Sequence, residues 1–384
     1  MVRSLFCFAA LLFAAVPQAA ESEPSKEVPE SLRFHDPEDG WFDMSEFLDK
    51  AYGFVPVVMP ITEPAVGYGA VGALVFIDRN VPGQGQQYTR PNITAVGGLG
   101  TENGTQGLFA MHLGTWLDGR LRTIAGVADM DVNLNFFGLG GDRAPQGGSL
   151  GYTIEARGGL FGANYRIGES PFWLGLRYTM AKTDVTLDSA NPGLPGITPR
   201  DLDLRLAALT PSITLDMRDN FFTPTRGWYV DLSAQLFREA LGSDRDFEKA
   251  TLQVMYYQPV ASALFFSVRG GGKNSSDGTP FFLRPFVSLR GVEALRYQGD
   301  EAAEIEAELR WQFHPRFSLV GFGGAGIARG ESSLGDREES VVAGGAGFRY
   351  MLARKHGLHM GIDVAWGPEN PIFYVVFGSA WLRP

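Results

Sequence analysis

What most constrains this chain is a two-residue rhythm of apolar and polar side chains, held over stretches longer than soluble strands require. In 304–313, Ile305, Ala307, Leu309, Trp311 and Phe313 alternate with Glu304, Glu306, Glu308, Arg310 and Gln312. In 228–237, Trp228, Val230, Leu232, Ala234 and Leu236 alternate with Tyr229, Asp231, Ser233 and Gln235. Residues 122–136 set Ile124, Ala128, Met130, Val132, Leu134 and Phe136 against Asp129, Asp131, Asn133 and Asn135; in 358–366, Leu358, Met360, Ile362, Val364 and Trp366 oppose His359 and Asp363. Such a period specifies strands with two chemically different faces. Beyond residue 20 no run of about 18 apolar residues occurs, so the sequence holds no spanning helix.

Two architectures use strands of this kind. A soluble sandwich buries the apolar face against a second sheet, whereas a membrane barrel turns it to lipid and keeps the polar face in the lumen. The length of the strands favours the barrel, since about 9–11 tilted residues cross a bilayer. The reading is an all-β, transmembrane antiparallel β-barrel of about 16 strands. The first candidate strand is 66–77, the eleventh 281–290 and the last 371–381. An even count suits a bacterial barrel. Aromatic pairs near strand ends, Phe136-Phe137, Phe221-Phe222 and Phe281-Phe282, are read as an interfacial girdle. Connectors at Asp118-Gly119, 168–171, 259–263, 314–316 and 353–357 are short, and those at 78–90, 187–200, 274–280, 291–301 and 330–339 are longer and polar. Barrels place short turns at the periplasmic end and long loops outside.

The first residues have another job. Arg3 precedes an apolar run from Leu5 to Val16, followed by Pro17-Gln-Ala-Ala20. That run is too short to span and fits a secretory signal, so 1–20 is expected to be a cleaved signal peptide and the product to reside in the bacterial outer membrane. Residues 21–54 are expected to form a periplasmic linker and short amphipathic helix, and 55–384 the barrel. In that segment Asp43 and Glu46 have capping-box spacing, which predicts a helix over 44–51 with Trp41, Phe42, Phe47 and Leu48 on its apolar side. The helix either plugs the barrel or lies on the inner leaflet, or it merely caps the barrel end. No folded periplasmic domain is expected between the signal and the barrel.

Two segments carry specific motifs. Asp216-Met-Arg218-Asp219-Asn220-Phe-Phe-Thr-Pro224-Thr-Arg-Gly227 joins two strands, and its residue types are ordinary turn formers. Leu289-Arg290-Gly291 and Arg296-Tyr297 fall in a long connector. Glycine there permits a sharp fold back into the lumen, and Arg290 could then meet Glu308 or Glu306 on the next strand. Together these segments resemble the BamA/TamA-like outer-membrane assembly-barrel superfamily, the bacterial surface antigen barrels, without the periplasmic POTRA domains. The resemblance spans about 55–384. It rests on the D-x-R-D-N…P-T-x-G turn at Asp216, Arg218, Asp219, Asn220, Pro224, Thr225 and Gly227, and on the (V/L)-R-G-(F/Y) loop at Leu289-Arg290-Gly291, where Val292 replaces the aromatic residue. It implies that Arg290, with Gly291 and Arg296 beside it, locks an inward loop by pairing with Glu308. The family's second acid, in F-x-D-x-G, is Gly324 in this sequence. Tyr374, Phe377, Gly378 and Trp381 resemble the family's C-terminal insertion signal, followed here by Leu-Arg-Pro.

The resemblance implies a protein or lipid assembly or translocation factor. It would open a weak seam between strands 66–77 and 371–381, with outer-membrane lipids, unfolded outer-membrane proteins and a separate periplasmic subunit as partners. The alternatives are a porin-like channel for small, preferably cationic solutes and a structural barrel that binds an envelope partner. A net charge of −10 argues against nucleic acid. One cysteine, Cys7, excludes a disulfide framework and Cys-based metal sites. None of the five histidines sits in a zinc or catalytic pattern, and no phosphate loop precedes a helix. No catalytic, cofactor-binding or metal-binding residue is therefore expected.

Overall fold

In a computed structural model the chain is described over residues 34–50, 53–78, 92–137, 150–188, 202–332 and 335–381. The expected signal segment and most of the linker lie outside the described residues. A six-residue helix, α1 (Ser45–Lys50), precedes sixteen antiparallel strands in one sheet whose order in space is their order in sequence. The strands are β1 (Gly53–Ile61), β2 (Gly69–Ile77), β3 (Ile93–Thr101), β4 (Gln106–Trp116), β5 (Leu121–Phe136), β6 (Leu150–Arg166), β7 (Phe172–Leu187) and β8 (Asp203–Asp216). They continue with β9 (Gly227–Phe237), β10 (Phe247–Ala261), β11 (Leu264–Ser275), β12 (Glu301–His314), β13 (Phe317–Ser332), β14 (Gly335–Ala353), β15 (Leu358–Trp366) and β16 (Ile372–Phe377). The sheet curls into a nearly closed barrel.

The expected number of strands is right through two compensating errors. β1 precedes the first expected strand, 66–77, and carries Pro56 and Pro60, residues that weigh against a strand inside a sheet. Residues 281–290 are not a strand: Phe281–Leu283 form a turn of 3₁₀ helix, and the segment leaves the wall. Its apolar residues pack inside the barrel, which periodicity alone does not distinguish from a buried strand. The seam moves accordingly. It lies between β1 and β16, not between 66–77 and 371–381. The last strand ends at Phe377, four residues before Trp381. The long 78–90 connector also joins β2 to β3 at the end that carries the short turns, since Ile77 pairs with Ile93.

The wall changes character along its height. Near the short turns, β12 and β9 turn Ile305, Leu309, Trp311, Trp228 and Leu232 outward, all exposed. The same band includes Val127, Phe161, Leu174, Leu176 and Met180, with Trp116, Tyr165 and Phe172 at its lower rim. Toward the long loops the outer face becomes charged: Arg157 bonds Asp129 on the adjacent strand at 2.8 Å, and Lys182 and Arg205 continue the row. There the inner face is apolar instead. Val132, Leu134, Phe136, Tyr152, Ile154, Val185, Leu204, Leu206, Phe237 and Phe247 form one buried cluster with Phe281, Phe282 and Leu295 from the β11–β12 connector. The face of 122–136 that was assigned to lipid therefore points inward along its whole length, and the opposite face, with Val127 and Asp129, points outward. Beyond hydrocarbon the outer wall meets water, and an inner wall covered by a loop is a protein core. Phe136 and Phe281, read as girdle residues, stack edge-to-face in that core at 5.2 Å.

This inversion predicts a labelling pattern. A bulky, membrane-impermeant maleimide should modify an Asp131→Cys protein in intact cells and spare Val132→Cys. The opposite pattern would reverse the assigned faces.

Candidate functional site

The β11–β12 connector, 276–300, is a narrow hairpin laid on the inner face of β12–β15. Val287 N–H donates to Tyr297 C=O at 3.0 Å and Gly299 N–H to Pro285 C=O at 3.0 Å, while Phe286 bridges Gln298. The wall beneath is cut away to receive it. A Cβ at Gly326 would meet Val287 Cγ1 at 2.3 Å, and one at Gly324 would meet Leu289 Cδ2 at 2.9 Å. Leu289 thus occupies the space next to the position where the family's second acid would stand. Gly291, at the tip, has φ of 88°, which disfavours any side chain, and a Cβ there would crowd the Trp366 backbone at 3.1 Å.

Arg290 is the centre of the tip. Its Nε donates to Glu306 Oε1 at 2.7 Å and its Nη1 to Asp363 Oδ2 at 2.8 Å. Nη2 lies 2.8 Å from Glu308 Oε2, an ion pair rather than an aligned hydrogen bond. The guanidinium also sits 3.6 Å over the Phe322 ring. Two further cations share the carboxylates: Arg349 reaches Asp363 at 2.5 Å and Arg269 reaches Glu306 at 3.5 Å. Three carboxylates thus face three guanidiniums, which is the arrangement buried charge requires. Trp381 closes the group by donating its indole N–H to Glu306 Oε1 at 3.0 Å. It therefore points into the barrel, because Gly378 (φ 70°) turns the chain inward after β16. Phe377 remains the last residue of the strand, paired with Met360.

The hairpin also spans the seam. On the β16 side, Gly291 N–H donates to Tyr374 Oη at 3.0 Å, and Arg296 Nε and Tyr297 Oη donate to Glu369 Oε1 at 3.2 and 3.3 Å. On the β1 side, Ala294 N–H donates to Glu63 Oε1 at 3.2 Å. The seam itself has no ladder: among the described residues β16 pairs only with β15, and β1 only with β2.

At the short-turn mouth a second strap crosses the same gap. One apolar cluster joins Met44 and Phe47 of the N-terminal segment to Val55 and Ile77 of β1 and β2, and to Leu352, Ala353 and Leu358 of β14 and β15, with Leu48 and Phe222 against it. Trp41 packs edge-on against Phe317 at 5.2 Å, and Phe42 stacks on Phe34 at 6.1 Å. Arg316, in the β12–β13 turn, has a fully buried side chain. It donates to Asp36, Asp39 and Asp43, each at 2.6 Å. Lys355 reaches Asp49 at 2.5 Å, and Met44 N–H donates to Leu352 C=O at 2.8 Å. Asp43 caps α1 by accepting from Ser45 N–H at 2.7 Å. Burial pushes the Asp43 carboxyl up, but bonds from Ser45, Arg316 and Arg354 outweigh it and leave the group below its usual range. The bond from Arg316 likewise lowers Asp39.

The 216–227 turn is a bracket bonded to itself and to this mouth. Arg218 donates two 2.8 Å bonds to Asp216 and stacks on Tyr229 at 4.4 Å. Asp219 accepts from Thr225 and Arg226 N–H at 2.9 and 3.1 Å. Asn220 accepts from Phe222 N–H at 2.7 Å and donates to His356 C=O at 2.9 Å. Pro224 is buried, and Gly227 (φ 112°) leaves no room for a side chain beside Met217 C=O. Phe222 C=O accepts from Ser379 N–H at 2.6 Å, which links the bracket to the inward tail.

Sequence reasoning paired Arg290 with Glu308 or Glu306 and missed Asp363. The polar parity of Asp363 on β15 was visible, but its distance in sequence from Arg290 hid the contact. The Arg316 knot was missed too; the spacing of Asp36, Asp39 and Asp43 was the available signal.

A profile of the Omp85 superfamily domain matches residues 129–353. Among solved structures, BamA from Haemophilus ducreyi lacking POTRA domains 1–3 is similar with a TM-score of 0.56 at 14% identity, over 84% of this chain and 69% of that one. CdiB from Escherichia coli gives 0.55 at 12% identity, over 86% and 60%. CdiB from Acinetobacter baumannii gives 0.55 at 10%, over 84% and 58%. The chain therefore spans less than two thirds of either CdiB. A comparison with curated proteins returned no match.

Two outcomes follow from the geometry. Removing one partner of a buried ion pair costs about 3–5 kcal/mol, so Arg290→Ala should lower the temperature at which the folded band is lost in gel-shift assays. A double-mutant cycle with Asp363→Asn should show about 0.5–3 kcal/mol of coupling, and additive effects would mean that the contact is absent. At the strap, carboxyls held below their unfolded values stabilise the folded state above the unfolded pKa of about 3.9, and that contribution is lost as pH falls through the folded pKa. Protease cleavage within 36–50 should stay slow at neutral pH and rise only on strong acidification; Arg316→Ala should make it fast at neutral pH.

Proposed function

The chain belongs to the Omp85 superfamily, and from that premise we propose that it is an outer-membrane assembly or translocation factor that works through the slit between β1 and β16. One observation carries the reading: among the described residues each strand is hydrogen-bonded to the next along the whole order, and no such pairing joins β1 to β16. The wall is also shortest there. β1 and β2 have nine residues each and β16 has six, against sixteen or seventeen in β5 to β7. Clients in this reading are unfolded outer-membrane proteins or lipids, and the hairpin tip at Arg290 with Glu306, Glu308 and Asp363 holds the lumenal side of the slit in register. The N-terminal strap, 34–50, ties the two lips at the periplasmic end and presents a surface to a periplasmic subunit. The parts divide as 1–20 signal peptide, 21–54 periplasmic segment and 55–384 barrel, with β1 starting slightly before that last boundary.

A passive channel fits less well. The outward half of the lumen holds the apolar cluster around Phe281 and Phe282 where a solute path would run. Wild-type protein in planar bilayers should be nearly silent, and deletion of 279–297 should give steady conductance. Steady conductance in the wild type would favour the channel.

The slit is tested by closing it. In a Cys7→Ser background, cysteines at Val58 and Val375, on the outward faces of β1 and β16, should block client insertion when bridged and release it on reduction. Undiminished activity in the bridged form would eliminate the slit mechanism.

A further inference from the structure

One buried cation stands outside the pairing around Arg290. The carboxylates of Glu306, Glu308 and Asp363 are taken up by Arg290, Arg269 and Arg349. Arg310, the next inward residue of β12 after Glu308, is a fourth guanidinium on the same wall and is only 6% exposed. Among the described residues it makes no hydrogen bond and no ion pair, and its Nη1 is buried without an acceptor. The Phe265 ring covers one face of the guanidinium at 4.3 Å. Glu308 and Asp219 lie within electrostatic range, but each is engaged elsewhere, Glu308 by Arg290 and Asp219 by Thr225 and Arg226.

Further unused donors step diagonally away from it. Arg310 is opposite Val320 on β13, and Ser318, the next inward residue of β13, is opposite Arg349 on β14. Arg349 is opposite Gly361 on β15, and His359 is the next inward residue of that strand. Ser318 and His359 are fully buried, and Ser318 Oγ and His359 Nε2 are without a partner, as Arg310 Nη1 is. Arg310 and Arg349 both act on His359 electrostatically. His359 Nδ1 is already engaged, 3.2 Å from Thr223 Oγ1 and 3.2 Å from Gly357 C=O, so Nε2 is the nitrogen left over. The turn bracket and the inward tail close over this end of the lumen: Gly378 N–H donates to His359 C=O at 2.6 Å, and Ser379 N–H to Phe222 C=O at 2.6 Å.

We propose that Arg310, Ser318 and His359 form a binding site for one small oxyanion, of the phosphate or carboxylate class, near the short-turn end of the lumen. A buried charge is expensive unless an opposite charge answers it, and a neutral hydrogen-bond partner does not supply that charge. An oxyanion does: its oxygens match the guanidinium fork, and it accepts from the Ser318 hydroxyl as well. His359 adds a third donor from Nε2 in the tautomer whose Nδ1 accepts from Thr223 Oγ1. The bracket and the tail over the site restrict the ligand to a small ion. Through His359 and Thr223 the bound ion ties the 216–227 bracket to the wall of β12–β15, and it stabilises the folded chain by mass action. The site is filled whether or not the slit opens.

The test uses the full chain folded in a non-ionic detergent, which carries no phosphate, in a zwitterionic buffer at fixed low chloride. Equilibrium dialysis against radiolabelled inorganic phosphate, and separately against acetate, should show one equivalent of oxyanion retained per chain; the ion retained more tightly identifies the class. Arg310→Met keeps the length of the side chain and removes its charge, and should weaken retention by about tenfold or more, with a smaller loss in Ser318→Ala. The temperature at which the folded band is lost should rise with the concentration of that oxyanion in the wild type and stay constant in Arg310→Met. Retention of neither probe by the wild type would overturn the site, and so would equal retention by Arg310→Met. Should Arg310→Met fail to fold, Ser318→Ala and His359→Gln are measured in its place, and undiminished retention in both would overturn the site.

Discussion

The Arg290 guanidinium is where most of the internal architecture meets. It touches β12 through Glu306 and Glu308, β15 through Asp363, β13 through Phe322 and, by way of Glu306, the inward tail at Trp381. A cation buried this deeply is tolerable only because each of its faces is answered, by carboxylates in the plane and a ring beneath. The consequence is geometric more than energetic. A planar fork with fixed donor directions holds four separate elements to one orientation, which apolar contacts alone would not do. The hairpin tip it fixes then reaches Tyr374 on one lip of the seam and Glu63 beside the other.

The rest of the wall follows from which solvent each height faces. In the lower band outward residues meet hydrocarbon and inward ones meet charge, so the strands alternate as a membrane barrel demands. Above that band the outside is water, and rows such as Asp129, Arg157 and Lys182 cross neighbouring strands. The inside there is filled by Phe281, Phe282 and Leu295, and the lining becomes aliphatic and aromatic. Both changes occur within single strands such as β5 and β7, because the side-chain period holds while the surroundings change. The hairpin is thus anchored twice, by a hydrophobic core above and by ion pairs below.

That history explains what the sequence disclosed and what it hid. Alternation in β9 and β12 disclosed the barrel and its faces, since those strands keep one chemistry over the membrane band. Alternation in β5 was equally clear and misled about which face is inside, because period two names two faces without saying which one the lumen takes. The 281–290 segment looked like a strand for the same reason: burial in a lumen leaves the signature of burial in a sheet. β1 was hidden by Pro56 and Pro60, which count against a strand in the middle of a sheet and are expected at an edge. The Arg290 contacts were half legible. Glu306 and Glu308 lie just after the motif, whereas Asp363 and Arg316 with its three aspartates are joined only by the closure of the barrel.

The same prolines explain how a slit can exist in lipid at all. An unpaired strand edge in hydrocarbon exposes N–H and C=O groups that nothing solvates, at several kcal/mol for each group. Two prolines on the slit-facing side of β1 delete two of those donors outright, so separation from β16 leaves fewer groups unsatisfied than an ordinary strand would. They also weaken any ladder that could form across the gap, because a β16 carbonyl opposite a proline gains nothing by pairing. A ladder across the gap is thereby made less favourable by one covalent feature, and register falls to elements off the edge. The two straps supply it, with the Arg290 hairpin on the lumenal side and the Arg316 knot at the short-turn mouth. Both tie the lips from outside the strand ladders, largely through side chains.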